Sequence, residues 1–364
     1  MLPIEGITML KDLEKRFSYR PSVLRIMTWP LSSLWGLALK ECISDRFTER
    51  FGIPILHIEV TGVDAPPDFL RAARDDMPPP CDVLYCNTIP AIHLAQAGLC
   101  DGLDEAEFPV LKQLNARARP VADGLDGWPF VIVYDVRYVM MYREAAFPSG
   151  PPESWKAMLD NAFKGRVSVY PGGKGFFPIA QVAGGGLLRD IPANMAPCWN
   201  FLRLLRPQIR VLEFNTRMTE HIRRGEIDLH CTVLTNILQW RDQGYGVGWH
   251  VPSEGISVGD DALAVPRGLS ESASFWAKQY VAFAVGKDVQ RDWTARLGLC
   301  PVNTGIERPE RFRGDPAYPD RPDDYSKALY VPNRVLAKFE HGLWRNEFNA
   351  IFEMSVTEVR NELS

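Results

Sequence analysis

The side chains with the most reactive chemistry in this sequence are its six histidines and seven cysteines. Their spacing builds no catalytic or metal constellation. His57 alternates within a strand-like run, His93 and His221 fall on helical segments, and none is spaced as His-Glu-x-x-His. No Gly-x-Ser-x-Gly nucleophile elbow occurs. His230 and Cys231 are adjacent, so on a strand they face opposite sides and cannot pair as base and nucleophile. Gly172–Gly175 reads GGKG, yet Gly175 stands where a phosphate-binding P-loop needs Ser or Thr after Lys174. The run reads as a flexible loop with backbone N–H groups to offer a ligand anion; Gly184–Gly186 reads as a turn or close-packing site. An odd number of cysteines gives no disulfide framework. Cys81 and Cys86 bracket the strand CDVLYC and lie about 16 Å apart at strand rise, beyond a disulfide's reach. Cys42, Cys198 and Cys231 read as small core residues.

Binding chemistry has better candidates. Asp261 follows Asp260 and opens the short apolar run ALAVP. It is either a grip for a cationic group, a strand-entry residue bonding its own backbone, or a solvated charge. Arg217 lies in the FNTR turn before a helix, where a solvated helix-start position is the plain reading. Trp29 ends the run VLRIMTW and packs in the core or faces a cation. Tyr134 lies on a long apolar run, in a core or hinge position.

These residues need a scaffold, and the chain reads as alternating strands and helices. Val23–Trp29 is a buried strand, followed by a helix with Leu39, Ile43, Phe47 and Phe51 on one face and Gly52 as its stop. Ile55–Val60, Cys81–Cys86, Arg166–Tyr170, Ile209–Phe214, Ile227–Thr232, Val247–Pro252 and Asp261–Pro266 read as strands. Helices are expected at Pro67–Asp76, Thr88–Ala97, from Ser154, at Pro197–Leu205, Thr219–Arg224, Asn236–Asp242 and Glu271–Ala284. Phe130–Tyr142 is longer and more β-rich, and marks a first crossing between lobes. Arg308–Asp324 reads as an irregular connector, and Phe348, Ile351, Phe352 and Val359 form a last helical stripe. The alternation predicts an α/β architecture with a largely parallel sheet.

At 364 residues the chain suits two lobes of about 150 residues each. Its net charge of −4 gives no basic field for nucleic acid and no polybasic membrane patch. No apolar run approaches the roughly 20 residues that span a bilayer. Met1–Arg20 mixes acidic and basic residues without an apolar core, which is not a secretory signal as written. A cytoplasmic chain, a removed signal and a misassigned start all stay open.

Several spaced motifs carry a resemblance over residues 23–355. LRIMTW, FTERFGIPI, CDVLYCNTIPAIHLAQAGLCDGLD, PESWKAMLDNAFKGRVSV and the ordered run FNTRMTEHIRRGEIDLH, WRDQGYGVGWHVPSEG, DDALAVPRG and LGLCPVNTG resemble the solute-binding proteins of ABC importers. The similarity is to the family 1 extracellular solute-binding proteins, in the subgroup that includes spermidine/putrescine receptors. It implies a type II periplasmic-binding-protein fold, with mixed central sheets flanked by helices and a ligand cleft between two lobes. The lobes would be 23–129 with 262–307, and 130–261 with 308–364.

The resemblance also implies a role for each residue. Asp261 would pair with a ligand ammonium, Trp29 would pack on the ligand, and Asn87 and Thr88 would bond it from a first-lobe loop. The tryptophans that sandwich a polyamine appear here as Val233 and Gly259, which favours a smaller amine such as an amino acid or its derivative. Its carboxylate would then need a partner, and Arg217 is the candidate, since its forked donors suit a carboxylate. The expected partners are a small-molecule ligand and an ABC permease, with no nucleic acid, no cofactor, no metal and no catalytic residue. The protein would be a periplasmic monomer. The alternative reading is a cytosolic enzyme or ligand sensor on the same fold.

Overall fold

Leu24, Ile26, Met27 and Thr28 are all withdrawn from water, and this apolar run forms strand β1 (Leu24–Thr28). A computed structural model describes residues 19–60, 66–315, 317–318 and 326–353 of the chain. The chain divides into two compact units. Unit 1 is Met1–Val133, Asp261–Arg296 and Val302–Gly305; unit 2 is Tyr134–Asp260, Leu297–Pro301 and Ile306–Ser364. Residues 130–133 and Asp261 fall in unit 1, and 297–301 with 306–307 in unit 2.

After β1, Ser33 caps helix α1 (Leu34–Leu39): its Oγ accepts from Gly36 N at 3.1 Å and donates to Pro30 O at 2.6 Å. A π turn at Lys40–Ser44 links α1 to α2 (Asp45–Phe51), so Leu39, Ile43 and Phe47 share a fully buried stripe. Gly52 ends it in the left-handed conformation (φ 68°). Strand β2 (Ile55–Glu59), α3 (Pro66–Arg74), β3 (Val83–Asn87) and α4 (Thr88–Gln96) follow. β4 (Phe130–Arg143) then carries the chain from unit 1 into unit 2.

The second unit continues with β5 (Val167–Ser168), α5 (Phe177–Ala183), α6 (Ala196–Leu205) and β6 (Ile209–Val211). Next come α7 (Asn215–Arg223), β7 (Leu229–Val233), α8 (Leu234–Asp242) and β8 (Val247–His250). β9 (Ile256–Ala264) returns the chain to unit 1, where α9 (Glu271–Ala284) and α10 (Lys287–Leu297) pack. β10 (Cys300–Pro301), β11 (Ala328–Leu329), α11 (Asn333–Phe339) and α12 (Arg345–Phe352) complete the described chain.

In unit 1 the strands lie in the order β2-β1-β3-β9, the first three parallel and β9 antiparallel to β3. In unit 2, β5 is parallel to β6 and β7, while β4 runs antiparallel to β7, β8 and β10. The sheets are therefore mixed rather than largely parallel, because the crossing strands β4 and β9 run against their neighbours. One face of the unit 1 sheet buries Met27, Leu84, Cys86, Ala262 and Ala264 in an apolar cluster with Phe130 and Ile132. Burying such side chains supplies most of the driving force for folding.

Three local expectations change. The helix expected from Ser154 is a 3-10 turn over Trp155–Leu159, because the Trp155 ring is buried and its Nε1 donates to Gly255 O at 2.8 Å. β9 begins at Ile256, so Asp261 is an interior strand residue and not a strand entry. α5 and α10 have no counterpart in the sequence reading. Within Arg308–Asp324, residues 308–315 hold a 3-10 turn at Glu310–Phe312; the stretch from 319 to 324 lies outside the described residues, as do Val359 and Met1–Ser18. Phe348 and Ile351 are buried on α12.

Candidate functional site

The strand register of unit 1 decides which side chains meet. Ile26 pairs with Val83, Tyr85 with Leu263 and Asn87 with Asp261. Paired residues share a face and alternate residues return to it, so Thr28, Tyr85, Asn87 and Asp261 lie together, opposite the Met27–Leu84–Cys86 face. This polar group sits at the carboxyl ends of the parallel strands β1 and β3, where open α/β sheets bind ligands.

Asp261 is 3% exposed, and Asn87 Nδ2 donates to its Oδ1 at 2.6 Å. Asn87 also precedes α4, so the same turn that ends β3 places Thr88 in the first helical position. Thr88 is buried, and its Oγ1 has no hydrogen-bond partner among the described residues. Trp29 is half-buried just beyond β1, edge-on to Tyr85 at 4.4 Å between ring centroids and tilted against Trp35 at 6.5 Å. Its loop is fixed by Gly36: a Cβ there would run into the carbonyl oxygens of Trp29 and Pro30. Asn87, Thr88, Asp261 and Trp29 are thus brought to one end of unit 1.

Arg217 belongs to unit 2. It lies in the first turn of α7, is exposed, and makes no hydrogen bond or ion pair with the described residues. In the same unit Asn236 Nδ2, with two hydrogens to give, lies within hydrogen-bond distance of Tyr170 Oη (2.7 Å), Asn215 Oδ1 (2.7 Å) and Thr232 Oγ1 (3.0 Å), and Phe214 stacks on Tyr170 at 5.6 Å. This network joins the first turns of α7 and α8 to β7. Val233 is buried at the end of β7. Gly259 faces the Tyr138 ring, with an added Cβ 3.2 Å from Tyr138 Cε2, so an aromatic from β4 fills part of the space left by the missing side chain.

The sequence reading missed Thr28, Tyr85 and Tyr138. Thr28 is the polar member of an otherwise apolar alternation, and that was its one visible signal. The glycine loop also differs from expectation. Gly172 and Gly173 are buried with positive φ, Gly175 N donates to Glu340 Oε1 at 3.3 Å, and Tyr138 leaves no room for a side chain at 175. It is a packed turn with that amide already engaged, rather than a flexible loop awaiting an anion. Tyr134 is fully buried. All seven cysteines are buried free thiols. Burial, reinforced by the Asp261 charge, pushes the Cys86 thiol well above its ordinary range, which suppresses thiolate chemistry beside the site.

A family model described as bacterial extracellular solute-binding protein matches residues 43–320. No curated protein matches the chain. The structure is similar to an ABC transporter substrate-binding protein from Bradyrhizobium japonicum USDA 110, with TM-score 0.76 and 18% identity over 92% of this chain and 100% of that one. It is similar to the Atu4243-GABA receptor, with TM-score 0.75 and 17% identity over 92% and 98%. It also resembles the periplasmic binding protein MotA from A. tumefaciens B6 in complex with glucopine, with TM-score 0.68 and 14% identity over 91% and 99%. At these identities the likeness establishes the mixed α/β solute-binding-protein fold.

Proposed function

The chain belongs to the bacterial extracellular solute-binding proteins, and from that premise we propose that it is the substrate-binding component of an ABC importer for a small amine-bearing solute. The observation that carries this reading is Asp261, a carboxylate withdrawn from water at the carboxyl ends of β1 and β3 and oriented by Asn87 at 2.6 Å. A ligand ammonium facing it forms a charge-assisted hydrogen bond, stronger than a neutral one. Trp29 lies at the same end of unit 1 and offers its ring to the ligand's aliphatic part. Thr88 adds a hydroxyl.

An amino acid or amino-acid derivative suits these residues better than a polyamine, because Val233 and Gly259 supply no aromatic wall. Arg217, exposed on unit 2, is the proposed partner for such a ligand's carboxylate. The similar structures described with GABA and with glucopine support an amine-bearing ligand. The protein would act in the periplasm as a monomer, deliver its ligand to a membrane permease, bind no nucleic acid and perform no catalysis. Among the described residues no helix is long and apolar enough to cross a membrane.

The test is a thermal-shift panel of amino acids, 4-aminobutanoate, opine conjugates and polyamines, each beside its analogue lacking the amine. A true ligand at 100 times its Kd stabilises by about 2.7 kcal/mol, and its amine-free analogue should give no shift. Equal shifts from both members of a pair would remove the amine reading.

A further inference from the structure

The aromatic surface that Val233 and Gly259 do not supply is present elsewhere in unit 2. The Tyr138 ring faces Gly259, Tyr170 stands edge-on to Tyr138 at 6.2 Å between centroids, and Phe214 stacks on Tyr170 at 5.6 Å with 26° between the rings. Tyr170 comes two residues after β5, and Phe214 three residues after β6. β5 runs parallel to β6 and β7, so both rings stand at carboxyl ends, where open α/β sheets take ligands. Tyr138 and Tyr170 are buried, whereas Phe214 is half-buried and brings the row to the surface.

The turn that carries Phe214 is held on several sides. Phe214 O accepts from Met218 N at 3.0 Å. The Oδ1 of the next residue, Asn215, lies 2.8 Å from Tyr170 Oη and 2.7 Å from Asn236 Nδ2. Thr219 Oγ1 donates to Asn215 O at 2.9 Å and accepts from Trp240 Nε1 at 2.9 Å. A buried network of this kind fixes one geometry, and a fixed ring has little freedom left to lose on meeting a ligand. Arg217 lies on the same turn, in the first turn of α7.

We propose that Phe214 is a specificity-determining residue that receives the ligand's aliphatic segment on unit 2, and that Tyr170 positions it. The ligand class narrows accordingly, to an amine separated from its carboxylate by several methylenes. One ring shields one side of such a chain, which suits an ω-amino acid and leaves the sandwich of a polyamine unmade. The inference rests on the amine reading given above and deepens it.

The experiment titrates the full chain by calorimetry with glycine, 4-aminobutanoate and 6-aminohexanoate. The proteins are the wild type, Phe214→Ala, Phe214→Leu, Tyr170→Phe and the double variant Tyr170→Phe/Phe214→Ala. At least one longer probe should bind the wild type more tightly than glycine does. Phe214→Ala should weaken that probe by about tenfold or more, the scale of two methylenes losing apolar contact, and leave glycine within about twofold. Phe214→Leu keeps an apolar surface and should stay within about threefold of the wild type. Tyr170→Phe keeps the stacked ring and loses only its Oη. It should weaken the longer probe by about fivefold and add nothing in the Phe214→Ala background, because the two residues act as one unit. A purely structural role for Phe214 would weaken every probe alike. Equal losses for glycine and the longer probes, or wild-type affinity in Phe214→Ala, overturn the inference and leave the amine reading standing. Failure of all three probes to bind the wild type overturns the ligand class inferred here, while the thermal-shift panel decides the amine reading separately.

Discussion

Asp260 and Asp261 are sequence neighbours, and the alternation of β9 sends their side chains to opposite faces. Asp260 accepts from Asn333 Nδ2 with both oxygens, each at 3.0 Å, which ties the start of α11 to β9. Asp261 meets Asn87 instead. The sequence offers the two carboxylates as equals, since hydrophobic alternation gives the parity of a face and not the register of its partner strand. The same limit hid Thr28, whose buried place on the face shared with Tyr85 and Asn87 emerges only once β1, β3 and β9 are aligned. His230 makes the contrasting case of a titratable group with no visible binding task. It is fully buried between the rings of Tyr170 (5.4 Å) and Trp240 (6.2 Å), and burial lowers its pKa to about 4. The unfolded chain takes up a proton near pH 6.5 while the folded imidazole stays neutral, so this site's stability is intact above pH 6.5 and falls as the pH drops toward 4. The loss approaches about 3 kcal/mol at about 1.4 kcal/mol per unit. His230→Leu should flatten the decline in Tm between pH 6.5 and 4 relative to the wild type; parallel pH profiles for the two proteins would contradict this.

Elements show where pattern reading works and where it stops. The stripe Leu39, Ile43, Phe47 was legible because four-residue spacing suits one helical face, and the π turn at Lys40–Ser44 did not disturb it. α10 was not legible: Lys287–Leu297 is rich in charged residues, and its buried side mixes Val289, Trp293 and Leu297 with the polar Gln290 and Thr294. The Ser154 turn failed as an α-helix because a long-range bond from Trp155 to Gly255 overrides local propensity. The loop 171–175 is the sharpest difference. Its composition suggests freedom, whereas the glycines are required by close packing: Gly173 against Phe177 and Phe348, Gly172 against Arg345, and Gly175 against Tyr138. Gly175→Ala combines a disfavoured φ of 71° with overlap on the Tyr138 ring, and should destabilise the protein by roughly 2–4 kcal/mol. Gly185, with positive φ and open space around it, is the control, and Gly185→Ala should cost about 1–2 kcal/mol. Denaturant titration of the two variants checks the ordering, and equal losses would contradict the packing argument.

For the whole molecule, family membership was legible from ordered motifs although each is weak alone, and the family match over residues 43–320 agrees with it. Ligand identity was less legible, because it depends on a few side chains at strand ends while the fold depends on many. The account rests most heavily on Asp261 as the grip for an amine. The direct measurement is calorimetric titration of the best amine from the panel into the wild type and Asp261→Asn, with melting curves of both proteins free of ligand. Asparagine keeps the size and can still accept from Asn87 Nδ2, so the ligand-free Tm should stay nearly unchanged. The affinity should fall by about 30-fold or more, the scale of a lost charge-assisted contact. Wild-type affinity in Asp261→Asn would contradict the account.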